Sequence, residues 1–361
     1  MATIKKTPKR NSKKNVAPLG KICNQPPEKR RLIDPSIHPS RERLIIRSGK
    51  KWVAGTVLHY FFFKAPVKWK GTSKQLALVR KAFKEWKRLG IGLEFKEVKT
   101  PEEAEIRIGF QQGDGHWSFL GRDILDFGPS ERTMNLDKGD GWGIDTALHE
   151  IGHTLGFPHE HQNPKAGIVW DEDKVYESLA KSPNFWDKET THHNIIRKLN
   201  LSEVEGSTWD PDSIMHYPFE AGLIRKPVKY QTIDLIPTGG LTKKDKEMVK
   251  LFYPPIYKND HIELIPLESV PFELSPGEQI NFSFVPDETR KYSFQTFGKS
   301  DTVMALFEQI NSEPRFVAGD DDGGEDRNSS FRVKLFAGRQ YFLRLRLYWS
   351  HSKGRTAVMA C

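Results

Sequence analysis

Hydrophobic and polar positions begin to alternate in a regular way only at Trp52; residues 1–50 show no sustained periodicity. Val53–Phe63, rich in Val, Tyr and Phe, predicts a β-strand. Over Gln75–Leu89 the apolar residues Leu76, Leu78, Val79, Phe83 and Trp86 recur at helical spacing, and Gly90 supplies the stop. Leu93–Val98 and Ala104–Phe110 predict two more strands, the second alternating Ile106, Ile108 and Phe110. A Gly-rich stretch then leads into Ile144–Phe157, a helical segment that Asp145 or Thr146 would cap. Ala166–Asn200 reads as polar and partly helical, and Ser213–Pro218 as a short apolar turn. Leu241–Tyr253 predicts an amphipathic helix, with Thr242 as its cap and Pro254-Pro255 as its end.

From about Ile256 the texture changes. Short alternating stretches at Ile280–Phe284, Tyr292–Phe297, Thr302–Glu308, Phe331–Phe336 and Gln340–Tyr348 are separated by Gly, Asp, Asn and Pro. This pattern predicts an all-β sandwich over roughly 258–361, separate from a mixed helix-and-strand body over 51–256. Two domains also suit a chain of 361 residues.

Composition narrows the class. Hydrophobic residues make up 37% of the chain, enough for true cores. No apolar run approaches the roughly 20 residues of a membrane span, and the N-terminus has no apolar signal core, so a cytoplasmic location or export by a non-Sec route is expected. The two cysteines, Cys23 and Cys361, exclude a disulfide framework. The net charge of +9 is unevenly placed: residues 1–50 hold fourteen Lys/Arg against three acids, a balance of +11 that leaves the other 311 residues at −2. Residues 1–50 therefore read as a basic, mostly disordered tail or a propeptide. No aromatic residue is interleaved with the basic clusters, so a nucleic-acid partner is not expected.

The chemistry concentrates in His149-Glu150-Ile151-Gly152-His153-Thr154-Leu155-Gly156-Phe157-Pro158-His159. Histidines four apart on a helix leave the same face, which suits two nitrogen ligands on one Zn²⁺. Gly156 lets the helix end at φ > 0, so that the chain returns and His159 supplies a third ligand. Three protein ligands leave a coordination position for water, the mark of a catalytic site. Glu150, beside the first ligand, is free to act as general base towards that water.

With these residues the segment is identified as the extended metzincin zinc motif, and the chain resembles astacin-family metalloendopeptidases. Trp209-Asp210-Pro211-Asp212-Ser213-Ile214-Met215-His216-Tyr217 resembles the family's Met-turn with its following tyrosine. Gly115–Arg122 and Leu241–Asp245 resemble two further family stretches, so the likeness covers about Lys51–Pro255. The resemblance implies an α+β metzincin fold of two lobes with a peptide cleft between them. It also implies one catalytic Zn²⁺ on His149, His153 and His159, with Glu150 as general base. Met215 would form the floor beneath the metal, and Tyr217 would be a switch tyrosine that stabilises the oxyanion. Glu160 would receive the ammonium of a mature N-terminus, its alternative being a solvated carboxylate; His161 and His216 are not ligands in this pattern. An extended peptide would lie along an edge strand drawn from Ala104–Phe110. Residues 51–255 lack the cysteines that form two disulfides in many members, and Gln162-Asn163-Pro164 stands where many have Arg, so a preference for acidic residues does not carry over.

In a propeptide, Cys23 is the candidate latch on the open metal position; its alternative is an incidental thiol. The C-terminal part resembles bacterial pre-peptidase C-terminal domains, through Asp301–Phe307, Ala318–Gly324 and Ala337–Tyr341. Asp320, Asp321 and Asp322 offer hard oxygen ligands for Ca²⁺, although Asp/Gly runs commonly mark turns. The expected function is zinc-dependent hydrolysis of peptide bonds in proteins by a monomer. The rivals are an inactive zinc protein that binds through its β domain or basic tail, and a nucleic-acid-associated factor.

Overall fold

The computed structural model describes residues 22–27, 51–52, 56–139, 141–199, 208–253, 255, 262–310, 313–349 and 351–361. The expected disorder of residues 1–50 falls mostly outside these residues, as does the boundary expected near 256–258.

The first body is built on a five-stranded sheet of β1 (Val57–Phe62), β2 (Glu94–Glu97), β3 (Ile106–Gly109), β4 (Trp117–Ser118) and β5 (Met134–Asn135). Their order is β2-β1-β3-β5-β4, parallel throughout except for β4, which runs antiparallel to β5. The strand expected at Ala104–Phe110 is therefore not an edge: β3 pairs on both sides, and the edges of the sheet are β2 and β4. All four residues of β3 are buried. Arg107, lodged between Ile106 and Ile108, donates to the carbonyls of Ala104 at 2.8 Å, Glu131 at 2.9 Å and Phe127 at 2.9 Å. A charged residue inside an alternating run thus concealed a strand covered on both faces.

Two helices pack beside the sheet. Helix α1 (Ser73–Arg88) starts in a capping box of Thr72 and Gln75. It buries Val79, Phe83 and Trp86 of the stripe that its sequence spacing predicts, together with Ala82, while Leu76 and Leu78 stay half-buried. The indole of Trp86 donates to the Leu148 carbonyl at 3.1 Å, joining α1 to α2 (Ile144–Thr154). Gly143, not Asp145 or Thr146, occupies the N-cap of α2. The carboxylate of Asp145 instead accepts from the Gly240 amide at 3.1 Å, a tertiary partner that local spacing does not reveal.

The lower lobe is sparser in regular structure. A two-stranded ladder of β6 (Val169–Trp170) and β7 (Ile224–Lys226) is joined by α3 (Glu172–Leu179), α4 (Lys188–Thr191) and a π-helical turn, His192–Ile196. These elements close over a core that includes Ile168, Val175, Ile195, Tyr217 and Phe219. Helix α5 (Lys243–Phe252) has Thr242 as its cap, as its sequence predicts.

The C-terminal region is a sandwich of two sheets. Its strands are β8 (Ile262–Glu263), β9 (Val270–Leu274), β10 (Gln279–Phe284), β11 (Arg290–Phe297), β12 (Thr302–Ile310), β13 (Glu313–Asp320), β14 (Ser330–Leu335), β15 (Tyr341–Leu347) and β16 (Gly354–Ala360). The sheets run β13-β12-β15-β10-β8 and β14-β11-β16-β9, with Phe282, Phe284, Phe294, Leu306 and Leu343 buried between them. Strands β9 and β13 break the expected alternation with Pro271 and Pro314, and both are edge strands, where a missing amide is tolerated. The Asp320 carboxylate accepts from the turn amides of Gly323 and Ser330, at 2.5 and 2.8 Å.

Burial, reinforced by the neighbouring aspartates, pushes the Asp301 carboxyl up to about 7 and that of Asp321 up to about 8; Asp322 is the main neighbour of each. The folded state therefore holds protons that an unfolded carboxyl, with a pKa of about 3.9, has already released. Their contribution to stability falls as pH rises from about 4 to about 8. Urea unfolding at pH 4 and pH 8.5 is expected to show Asp321→Asn more stable than the parent at pH 8.5, with a much smaller difference at pH 4.

Candidate active site

The site is assembled where α2 ends. The indole of Trp52 donates to the Thr154 carbonyl at 2.8 Å and the Tyr253 hydroxyl to that of Leu155 at 2.7 Å. Side chains thus satisfy carbonyls that a helix terminus leaves open. Gly156 takes φ +86°, the left-handed conformation its position calls for, and its amide donates to the His153 carbonyl at 2.8 Å. The chain then turns back through Phe157-Pro158 and carries His159 to the ends of His149 and His153.

All three imidazoles are buried. The Nδ1 of His149 lies 2.7 Å from the Ile214 carbonyl, and the Nδ1 of His153 lies 2.8 Å from that of Phe157. A carbonyl can only accept, so each Nδ1 carries the proton and each Nε2 presents a lone pair to the cavity. The Nε2 of His149 is buried with no hydrogen-bond partner, while those of His153 and His159 approach to 3.0 Å. Burial drives all three imidazoles towards the neutral, ligating form, His149 down to about 4. An orphaned buried acceptor beside two further lone pairs fits a soft-to-borderline divalent metal with nitrogen ligands, and Zn²⁺ meets that description.

Glu150 is fully buried, and burial pushes its carboxyl up to about 8. The Tyr217 hydroxyl lies 2.5 Å from the Nε2 of His159, so the switch-tyrosine candidate borders the candidate ligands. Met215 is buried below them: a Cβ on Gly152 would sit 2.4 Å from its sulfur. Glu160 is held on both sides, accepting from the Asp210 amide at 2.9 Å and from the Asn163 carboxamide at 3.2 Å. These bonds and the Glu160 amide, which donates to the Met215 carbonyl at 3.0 Å, tie the Met-turn to the third histidine. His161 and His216 point elsewhere: the former to the Asn194 carbonyl at 2.8 Å, the latter to the Tyr217 carbonyl at 2.7 Å.

Cys23 belongs to the same cluster. Its sulfur lies 3.5 Å from the Nε2 of His153 and 3.6 Å from Oε2 of Glu150, and one ligand atom each from Cys23, His149, His153 and His159 gather within 4.8 Å. Its carbonyl accepts from the Tyr217 hydroxyl at 2.6 Å. Burial and the nearby Glu150 charge hold the thiol well above its ordinary range. The flanking residues are held too: the Asn24 amide donates to the His116 carbonyl at 2.8 Å, just before the edge strand β4, and the Ile22 amide donates to Oδ1 of Asn184 at 3.1 Å on the lower lobe. Residues 22–24 thus bridge the two walls of the cleft. Asn184 and Asn194 were not candidates from the sequence, since isolated asparagines carry no spacing signal.

The comparisons with known proteins agree with this geometry. The model of the astacin peptidase family matches over residues 45–236. Bone morphogenetic protein 1 of Xenopus laevis is 30% identical over 149 residues, covering 40% of this chain and 18% of that protein. Protein SpAN of Strongylocentrotus purpuratus is 26% identical over 152 residues, covering 40% of this chain and 22% of that protein. The chain thus spans less than a quarter of the length of either relative. The solved structure of myroilysin is 30% identical, with a TM-score of 0.51, and the match covers 58% of this chain and 97% of that one.

The close approach of Gly152 to Met215 generates a prediction. Gly152→Ala should overpack the floor of the site and cost about 1–3 kcal/mol, with a loss of bound zinc. The pair Gly152→Ala/Met215→Ala should be less destabilised than the two single changes summed, in a denaturation cycle read alongside metal content.

Proposed function

The chain belongs to the astacin family of peptidases, and from that membership and the geometry of its cleft we propose that it is a zinc-dependent metalloendopeptidase acting on proteins. The observation that carries the reading is the convergence of His149, His153 and His159 on one buried point, with the Glu150 carboxylate beside it. Zn²⁺ held by these three imidazoles would supply Lewis-acid chemistry and make water nucleophilic near neutral pH. Glu150 takes the proton from the attacking water and returns it to the leaving amine; its buried, raised carboxyl suits transfer in both directions. The Tyr217 hydroxyl, already donating to a peptide carbonyl at 2.6 Å, would donate more strongly as charge grows on the scissile carbonyl oxygen. Met215 and Gly156 act through position, the first as floor and the second as the turn that brings His159 home. Glu160 serves here as a brace for the Met-turn, which supports a structural role ahead of reception of a mature N-terminus.

Residues 22–27 are read as the inhibitory part of a propeptide, with Cys23 as the latch. Its sulfur stands where an attacking water must stand, between Glu150 and the histidines, and its carbonyl takes the hydroxyl that a substrate would need. The chain would then be a zymogen, and the inactive-binder reading has no such observation behind it. The lower-lobe wall and edge strand β4 receive the substrate chain by β-augmentation.

Cleavage of denatured casein tests the assignment. Glu150→Ala should retain about one zinc per chain yet lose at least about a thousandfold in rate, within the range for a lost acid–base group. A wild-type chain that binds zinc but remains inactive after removal of residues 1–50 would overturn the peptidase reading. Cys23→Ala in the full chain is expected to cleave casein without prior processing, whereas the parent should show a lag that ends when the tail is cut.

A further inference from the structure

Asn194 sits in the π-helical turn His192–Ile196, a rare geometry that recurs at functional sites. It is 2% exposed, and its backbone carbonyl is fixed against His161 at 2.8 Å. The side-chain amide donates twice, to the Thr190 carbonyl at 3.1 Å and to Oδ1 of Asn24 at 3.2 Å. Its own Oδ1 is buried and accepts from nothing, an acceptor left open in a site where an orphan costs about 1–3 kcal/mol. Asn24 is one residue beyond Cys23, whose carbonyl and sulfur lie among Tyr217, Glu150 and His153, so Asn194 reads the neighbour of the residue seated in the histidine cluster.

The complement to this group is specific. Asn194 offers the occupant one donor and asks for one in return. A carboxylate would supply only acceptors and set oxygen against oxygen; an ammonium would supply only donors; an alkyl group would supply neither. A carboxamide supplies both. Asn24 already makes half of that pairing, and Asn184, on the same lobe, holds the peptide backbone one residue to the other side of Cys23. We propose that Asn194 forms a neutral carboxamide subsite, selecting peptides with Asn or Gln adjacent to the residue at the reacting position. This rests on the reading of the cleft as a peptidase site, and departs from it in naming the side chain that the cleft prefers.

The test uses the full chain carrying Cys23→Ala and synthetic peptides with Asn, Gln, Asp, Lys or Ala on either side of one cleavable bond. On one side of that bond, kcat/KM for Asn and Gln should exceed that for Asp and Ala by about tenfold, the worth of a hydrogen bond to a buried group. Asn194→Ala should flatten this ranking, and the near-isosteric Asn194→Asp, which keeps the volume should the alanine variant fail to fold, should turn it towards Lys. The same ranking in parent and both variants would overturn the subsite. The two readings are separated by calorimetry on Cys23→Ala/Glu150→Ala. Peptides bound with the carboxamide ranking but never cut by Cys23→Ala would overturn the peptidase reading and leave the subsite standing; peptides cut without that ranking would overturn the subsite alone.

Discussion

The constraint on which the catalytic body depends is the burial of three uncharged imidazoles whose outer nitrogens are pinned or packed. A buried, unpaired polar atom is expensive, and this site brings several together. The cost is offset by second-layer partners: the Ile214 and Phe157 carbonyls orient two of the rings. Those carbonyls must themselves be held. Asp245, in the first turn of α5, accepts from the Ser213 hydroxyl at 2.6 Å and the Ile214 amide at 2.9 Å while completing the capping box with Thr242. One carboxylate thus starts a helix, shapes the Met-turn and, through Ile214, aims His149. The astacin-like stretch at Leu241–Asp245 acquires a physical reason in this way.

Much of this was legible in the residues. The His149–His159 segment carries its own mechanics, because a period of four and a glycine stop dictate where imidazoles go. The α1 stripe and the Thr242 cap follow from local rules that tertiary contacts do not override. What was hidden involves partners far apart in sequence. Asp145 looks like a helix cap and serves Gly240, and Ala104–Phe110 looks like an edge and lies inside the sheet. Cys23 was a candidate latch from the sequence, but its partner was not legible: only the fold brings it to Glu150, 127 positions away in the chain. Asn194 depends on a π-helical turn for which periodicity has no signature.

The two lobes divide the work. The upper lobe supplies rigid elements: the sheet, and helix α2 with His149, His153 and the buried Glu150. The lower lobe supplies loops and short turns, where Asn184, Asn194 and Tyr217 meet the bound segment from the opposite side. Placing His149 and His153 on a helix and the contacts to residues 22–24 on connecting segments lets the second set vary without disturbing the first. The β-sandwich stands outside this division, with its own core of Phe282, Phe284, Phe294, Leu306 and Leu343.

Strand β4 is two residues long, and it is one of the two edges of its sheet. An exposed edge invites any extended chain to add itself, including another copy of the same protein, and long flat edges are a route to aggregation. Two residues offer too few backbone groups for a stranger to dock on them alone. A chain gains purchase there only when the opposite wall grips it as well, as Asn184 and Tyr217 grip residues 22 and 23. The brevity of the strand thus lets the protein present an unpaired edge to a polypeptide threaded through its cleft, yet deny that edge to fibril-like self-assembly.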